Sequence, residues 1–272
     1  MIISKKEIER LSSDIRKLID GQNIDLRDNR EGIWSVLKND IFTLATLKNE
    51  QVDALERERD MLKDTLADIS HQLKTPLTSM SLMTDLLENA PPDKQTEFIA
   101  NIRSSLNRTE WLVSALLKMA KLEAGAIEFS RKKINSETLI ERALEPLQIL
   151  LDMKNQRAEI SGEVELFCDS RWTAEALTNV LKNASEYSPD NSAIIVQAGA
   201  NPICAWVSVT DSGKGITKSE IAGLFKRFQG SRNDAGYGIG LPLALAIMRS
   251  QNGDIEVRSD NKGATFTLKL YK

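Results

Sequence analysis

Histidine occurs once in the 272 residues, at His71, inside Ser70-His71-Gln72-Leu73-Lys74-Thr75-Pro76. Imidazole changes protonation nearest to neutral pH and is nucleophilic when neutral, so an exposed copy beside a bend suits a group that something large must approach. Thr75 lies one helical turn on, on the same face, and Pro76 removes a backbone donor and predicts a kink just past the histidine. Further along, Asn179 and Asn183 are four residues apart, which puts two carboxamide oxygens on one helical face within reach of one Mg²⁺ and the phosphates it carries. Asp211-Ser-Gly213-Lys-Gly215-Ile216 follows a strand signal. A buried carboxylate there accepts the exocyclic amine of adenine, and its glycines let backbone approach the ring. Gly236-Tyr-Gly238-Ile-Gly240-Leu241 opens a helix, where free N–H groups and the positive dipole end suit phosphate, although the Walker lysine and the Rossmann context are missing. Each signal is weak alone; their order and spacing together point to a nucleotide.

Apolar spacing assigns the elements that must hold these groups. With Leu66 at heptad position a, Ile69 and Pro76 fall at d, Leu73 and Met80 at a, and Leu62 and Leu55 continue the seam upstream. His71 then takes position f, the most solvent-facing one, and Arg59 interrupts the seam. This helix is predicted from about residue 49 to 88. A turn at 89–93 and a second helix to about Ala124 follow, with Ile99, Ile102, Leu106, Val113, Leu116 and Ala120 on one face and Thr109 completing the pattern. Two such helices form a hairpin whose stripe would stay wet in a monomer, which predicts a homodimer closing a four-helix bundle. Upstream, residues 4–20 and a helix from about residue 31 flank a polar connector and resemble a HAMP signalling module or a plain coiled-coil arm.

After Gly125 the pattern changes. Strand signals at 127–129, 158–160, 164–167, 193–197 and 205–209, and a final hairpin at 254–258 and 264–270, alternate with helices. These are a helix capped by Ser136 and reaching about Met153, one capped by Asp169 and running to Tyr187, and one near 239–251. The fold class expected is α+β: a helical-hairpin stem forming a dimeric four-helix bundle, then a two-layer α/β sandwich. The domains expected are 1–48, 49–124, a hinge at 125–135, and 136–272. A net charge of −3 and a pI near 5.5 leave no basic footprint, so no nucleic-acid partner is expected. Cys168 and Cys204 lack metal-type spacing and fit a reducing compartment. No run approaches the roughly 18 apolar residues of a membrane span, so a membrane is expected only through a segment preceding residue 1.

In chain order the segments resemble a bacterial sensor histidine kinase, with a HisKA-type dimerisation and phosphoacceptor domain and a HATPase_c catalytic domain of the Bergerat or GHKL type. Ser70 to Pro76 is similar to the H box, Asn179 to Tyr187 to the N box, Asp211 to Ile216 to the G1 box, Leu224-Phe225-Lys-Arg227-Phe228 to the F box and Gly236 to Leu241 to the G2 box. Gly263-Ala-Thr265-Phe266 is similar to the closing glycine motif. The resemblance covers about residues 60 to 270. It implies autophosphorylation of His71 from Mg·ATP and transfer to an aspartate of a response-regulator receiver domain, in the cytoplasmic portion of a membrane sensor. By the same resemblance Asn183 and Asn179 hold Mg²⁺ and phosphate oxygens, and Asp211 reads adenine. Tyr187, Gly213, Gly215, Ile216, Gly236, Gly238, Gly240, Leu241 and Thr265 line the site, Arg227 serves the γ-phosphate, and residues 229–237 form a lid.

Two positions depart from the family. Its usual acidic residue after the histidine is Gln72 here, which cannot accept a proton, so either no strong base is needed or Asp68, one turn earlier on the same face, substitutes. Glu186 stands where the N box is often basic, with Lys182 as a compensating candidate. Thr75 can orient a water for regulator phosphatase activity or serve only as a polar residue before the kink. Two alternatives remain at this stage: a GHKL-type ATPase, disfavoured because Asn179 stands where those members carry a glutamate base, and a non-catalytic nucleotide-binding scaffold.

Overall fold

In the computed structural model, which describes residues 4–19, 22, 25–26, 32–88, 90–228 and 238–272, a helical half leads and a mixed sheet follows. The chain divides into two compact units, residues 1–70 and 71–272. In the first, α1 (Lys5–Ile19) starts with a capping box: Ser4 Oγ accepts from the Glu7 N–H at 3.3 Å and the Glu7 carboxylate accepts from the Ser4 N–H at 2.9 Å. Leu11, Leu18 and Leu26 are buried against Trp34, Ile41 and Phe42, which open α2 (Ile33–Leu87). No glycine or proline occurs between residues 33 and 75, and α2 runs unbroken for 55 residues. The helix therefore crosses the boundary expected at 48/49 without a break, and it also continues through Pro76.

The second unit begins in the last turns of α2. Pro92 at the first helical position opens α3 (Pro92–Glu123). Gly125, at φ +61°, ends it in a Schellman motif, with Ala126 N–H on the Lys121 carbonyl at 3.0 Å and Gly125 N–H on Leu122 at 3.1 Å. The inward stripe of α3 is Phe98, Ile102, Ser105, Thr109, Leu112, Leu116 and Met119, all partly or fully buried. It shares only Ile102, Thr109 and Leu116 with the stripe expected, because Ile99, Leu106 and Val113 lie open at a spacing of seven.

The strand signal at 127–129 is not a strand. Ile127 and Phe129 instead pack as irregular chain on the core, Phe129 edge-on to Trp172 with ring centroids 6.0 Å apart. The first strand is β1 (Lys132–Asn135), antiparallel to β3 (Glu165–Cys168). With Ser130 N–H on Asp169 at 2.9 Å and Arg131 on the Ser250 carbonyl at 3.1 Å, most of the expected 125–135 hinge is bound to the sandwich, and its free part shrinks to the turn at Gly125. The helix expected to Met153 is broken into α4 (Ser136–Leu144), a 3₁₀ turn at Glu145–Leu147 and α5 (Gln148–Met153), with Pro146 at the break. Its N-cap is Asn135, which accepts from Glu137 N–H, while Ser136 is buried and its Oγ accepts from Val164 N–H.

The remaining elements fall close to the sequence expectation, except for a short helix at 218–221 that it lacked. They are β2 (Arg157–Ser161), α6 (Ser170–Tyr187) capped by Asp169, β4 (Ala193–Ala200), β5 (Cys204–Thr210), α7 (Lys218–Ile221), α8 (Gly240–Arg249), β6 (Gly253–Asp260) and β7 (Gly263–Tyr271). Five strands form one sheet in the order β2-β4-β5-β7-β6, parallel only at β2–β4. Ile194, Val196, Val207, Val209, Phe266 and Leu268 alternate onto the face covered by α6 and α8, where they bury with Leu177, Leu181 and Ile247. Each such side chain contributes about 1.5–3 kcal/mol. Leu112, Ala115, Met119 and Leu122 of α3 join the same core.

Candidate nucleotide and phosphoacceptor sites

Asp211 follows β5 and is 5% exposed. Its Oδ1 accepts the N–H of Gly213 at 2.9 Å and of Ala264 at 3.1 Å; among the described residues Oδ2 accepts nothing and remains open to a ligand donor. Burial pushes the carboxyl up, and the two N–H bonds only partly oppose this. Two glycines make the approach possible. A Cβ on Gly215 (φ +76°) would collide with the Asp260 carbonyl, and one on Gly263 (φ +147°) with the Asp211 carbonyl. Ile216 N–H is held by Ser259 Oγ at 2.7 Å. Tyr187 ends α6 half-exposed, and its carbonyl lies under Gly213, leaving no space there for a side chain. Burial, followed by the charge of Glu186, pushes the Tyr187 hydroxyl up.

Thr265 does not join this group. It faces the opposite side of the sheet from Phe266 and pairs its hydroxyl with Thr210 at 2.9 Å, while Ala264 is the residue turned toward Asp211. Strand alternation counted back from buried Phe266 could have shown this.

Two turns before Tyr187 on α6, Asn179 Nδ2 donates to the Glu175 carbonyl at 3.0 Å, and its Oδ1 lies against Gly240 at the start of α8. Asn183, one turn on, is half-buried with no hydrogen-bond partner among the described residues. No side chain caps α8, so the N–H groups of Gly240 and Leu241 stay available to an anion. Gly238 accepts from Phe228 N–H at 3.1 Å, which seats the 224–228 segment beside that helix end. Arg227 is ion-paired with Glu123 at the end of α3, and burial lowers its guanidinium pKa. Gly236 and the expected lid, 229–237, lie outside the described residues. Among the described residues no group of three or more His, Cys, Asp or Glu could hold a metal ion.

Lys182 is engaged elsewhere. Its Nζ sits 5.3 Å from the Trp111 ring centre and 3.7 Å from Glu186. Burial pushes the Glu186 carboxyl up, against the pull of Lys182, Lys154 and Arg108. Lys118 and Glu175, at 2.5 Å, make a further α3–α6 link.

His71 is exposed, as its heptad position predicts, and its imidazole has no hydrogen-bond partner among the described residues. Leu73 and Pro76 turn inward, Gln72 is half-buried, and Asp68 and Thr75 are exposed. Thr75 Oγ1 donates to the His71 carbonyl at 3.2 Å. The structure thus sets Gly213 against Asp211 and the Tyr187 carbonyl, Gly215 and Ile216 against Asp260 and Ser259, and Asn179 against Gly240 at the start of α8, and leaves His71 on the helical stem. Sequence reasoning missed Ala264, Ser259 and Glu123; nothing local marks the last, which acts only through a contact over 100 residues away.

Residues 61–125 match the family described as His Kinase A (phospho-acceptor) domain, and residues 168–272 match the family described as Histidine kinase-, DNA gyrase B-, and HSP90-like ATPase. The chain is 29% identical over 273 residues to the heme sensor protein HssS of Staphylococcus saprophyticus, covering 98% of this chain, and 24% identical over 269 residues to the signal transduction histidine-protein kinase BaeS of Escherichia coli K12, covering 96%. It spans 58% of the length of each of these relatives. In fold it is similar to the histidine kinase ThkA, solved in complex with the response regulator protein TrrA, at a TM-score of 0.66 and 20% identity over 83% of this chain and 66% of that one.

Proposed function

We propose, on the premise that this chain belongs to the sensor histidine kinases, that it binds ATP in the sandwich, phosphorylates its own His71 and passes the phosphoryl group to an aspartate of a response-regulator receiver domain. The observation carrying this reading is the pairing of an exposed imidazole on the stem with a buried carboxylate that keeps one oxygen open in the pocket. Asp211 Oδ2 accepts the adenine amine, a hydrogen bond that selects adenine over a base presenting a carbonyl. Tyr187 and Ile216 border the ring, and the start of α8 receives phosphate oxygens. Asn183 and Asn179 supply oxygens that suit Mg²⁺, which when bound neutralises phosphate charge. Arg227, released from Glu123, faces the terminal phosphate. A neutral His71 nitrogen forms the bond to the γ-phosphorus as the bond to the ADP oxygen breaks, and the ring proton leaves to solvent or to Asp68, because Gln72 has no basic site. Bringing the two domains into line is the main task and can supply roughly 7–11 kcal/mol.

The open side chains of Leu55, Leu62 and Leu66, together with Ile99, Leu106 and Val113, fit a homodimer closing a four-helix bundle, and residues 1–48 fit a HAMP-like input segment. The chain then acts as the cytoplasmic portion of a membrane sensor; among the described residues no helix is long and apolar enough to cross a membrane. Thr75, beside His71 on the exposed face, orients a water against the regulator's phosphoaspartate, so Thr75→Ala should lose phosphatase while keeping kinase activity.

Incubation with γ-labelled ATP tests the whole reading. Acid-labile, base-stable label on the protein is expected. Release of free phosphate without protein label would point instead to an ATPase, an outcome disfavoured by the amide at Asn179, which cannot activate water. Nucleotide binding with neither product would leave a scaffold.

A further inference from the structure

The carboxyl end of α6 carries Tyr187, and its last carbonyls are gathered by two side chains from the α5–β2 junction. Lys154 Nζ donates to the carbonyls of Ser185 at 2.6 Å, Ser188 at 3.2 Å and Glu186 at 3.4 Å. Gln156, 7% exposed, lies within donating distance of Ser185 at 3.2 Å, Ser188 at 3.2 Å and Pro189 at 3.0 Å, and its Oε1 accepts from Ser185 Oγ at 2.6 Å. Helix ends leave carbonyls unpaired, and a glycine turn or one basic side chain ordinarily satisfies them. Here no glycine follows Tyr187, and two side chains converge on residues 185–189. The lysine also places a positive charge at the negative end of the helix dipole.

The restraint continues into the pocket. Ser188 Oγ accepts the N–H of Ser212 at 3.1 Å, and Ser212 Oγ donates to the Ala193 carbonyl at 2.9 Å. Ser212 adjoins Asp211, and Gly213 rests against the Tyr187 carbonyl. One hydrogen-bonded path therefore runs from the α5–β2 junction through Ser188 to the carboxylate with the open oxygen. We propose that Lys154 and Gln156 are positioning residues for the nucleotide site: by clasping residues 185–189 they fix Ser188, and through it the Asp211 loop, in the geometry that receives adenine. This rests on Asp211 being the adenine acceptor. The clasp touches no nucleotide itself. It removes a freedom that the loop would otherwise lose on binding.

Calorimetric titration of the full chain with ADP and with adenosine tests the inference, using Lys154→Met, Lys154→Arg, Ser188→Ala and Gln156→Leu at a temperature where each variant is folded by circular dichroism. Lys154→Met and Ser188→Ala should each raise both dissociation constants about tenfold, the effect of losing one orienting hydrogen bond. The factor should be the same for ADP and adenosine, because the adenine end is displaced and the phosphate end is not. Lys154→Arg should recover most of the loss. A purely structural cap would lower Tm and leave both constants unchanged, and that result overturns the inference. Should Gln156→Leu fail to fold, the partly exposed Lys154 and the downstream Ser188 still carry the test. Wild-type chain that bound neither ADP nor adenosine would overturn the nucleotide reading and this inference together, whereas normal wild-type binding with unaltered variants overturns the inference alone.

Discussion

The two ends of the proposed phosphoryl transfer are built in opposite ways. Around Asp211 the chain holds almost every atom: two N–H groups fix one carboxylate oxygen, Ser259 fixes Ile216, and Gly263 and Gly215 sit where no side chain fits. Around His71 it holds almost nothing. The ring stands free on one helix, and the apolar residues preceding it on that helix, Leu55, Leu62 and Leu66, are 64%, 59% and 55% exposed. The binding end is pre-organised by a single chain's core, whereas on the proposed function the accepting end would become reactive through placement and by acquiring a second copy.

Each prediction breaks or sharpens this contrast. His71→Gln should abolish protein label entirely and leave ADP affinity unchanged by calorimetry; a changed affinity would mean the two ends are not independent. Asp211→Asn keeps an oxygen for the Gly213 and Ala264 N–H groups but turns a donor toward the adenine amine. ADP affinity should fall about 10- to 100-fold, the cost of two donors facing each other in a buried site. Its stability should move the other way. Burial raises the Asp211 pKa in the folded chain above the unfolded value, so its contribution is full at low pH and is lost as pH rises through the raised folded value. The variant should therefore gain Tm over wild type on going from acid to neutral pH, and a gap independent of pH would contradict that burial.

Smaller effects belong to the stem. Leu62→Glu with Leu66→Glu should convert dimer to monomer in light scattering, because about 1.5–3 kcal/mol of burial per leucine is forfeited. Label should drop while ADP binding persists. Smallest of all, Glu123→Gln breaks a partly exposed ion pair with Arg227 and should cost under about 1 kcal/mol, a Tm change of roughly 2–4 °C or less.

Particular residues show what could be read in advance. The exposure of His71 followed from heptad counting alone, and Asp169 announced its own cap. The glycines at 215, 238 and 263 were legible because their positive φ is a local backbone demand, while Gly213 and Gly240 are glycine because distant atoms, the Tyr187 carbonyl and Asn179 Oδ1, approach them. The stripe on α3 was misjudged because period alone allows two apolar faces, and the face through Phe98, Ile102 and Leu112 is the one the fold covers, with Leu112 in the sandwich core. Thr265 was misplaced for want of one step of strand alternation, and the linker was overestimated because Phe129, Ser130 and Arg131 find partners only across the fold.

The amino-acid sequence by itself determined most of the order of helices and strands, the solvent-facing histidine and the residue types of the proposed nucleotide site, because periodicity and capping act within a few neighbouring residues. Only tertiary structure decided that Arg227 meets Glu123, that Ala264 rather than Thr265 faces Asp211, and that Lys154 and Gln156 clasp the end of α6. Those contacts join residues far apart in the chain, and their partners are chosen by how the sheet and helices pack.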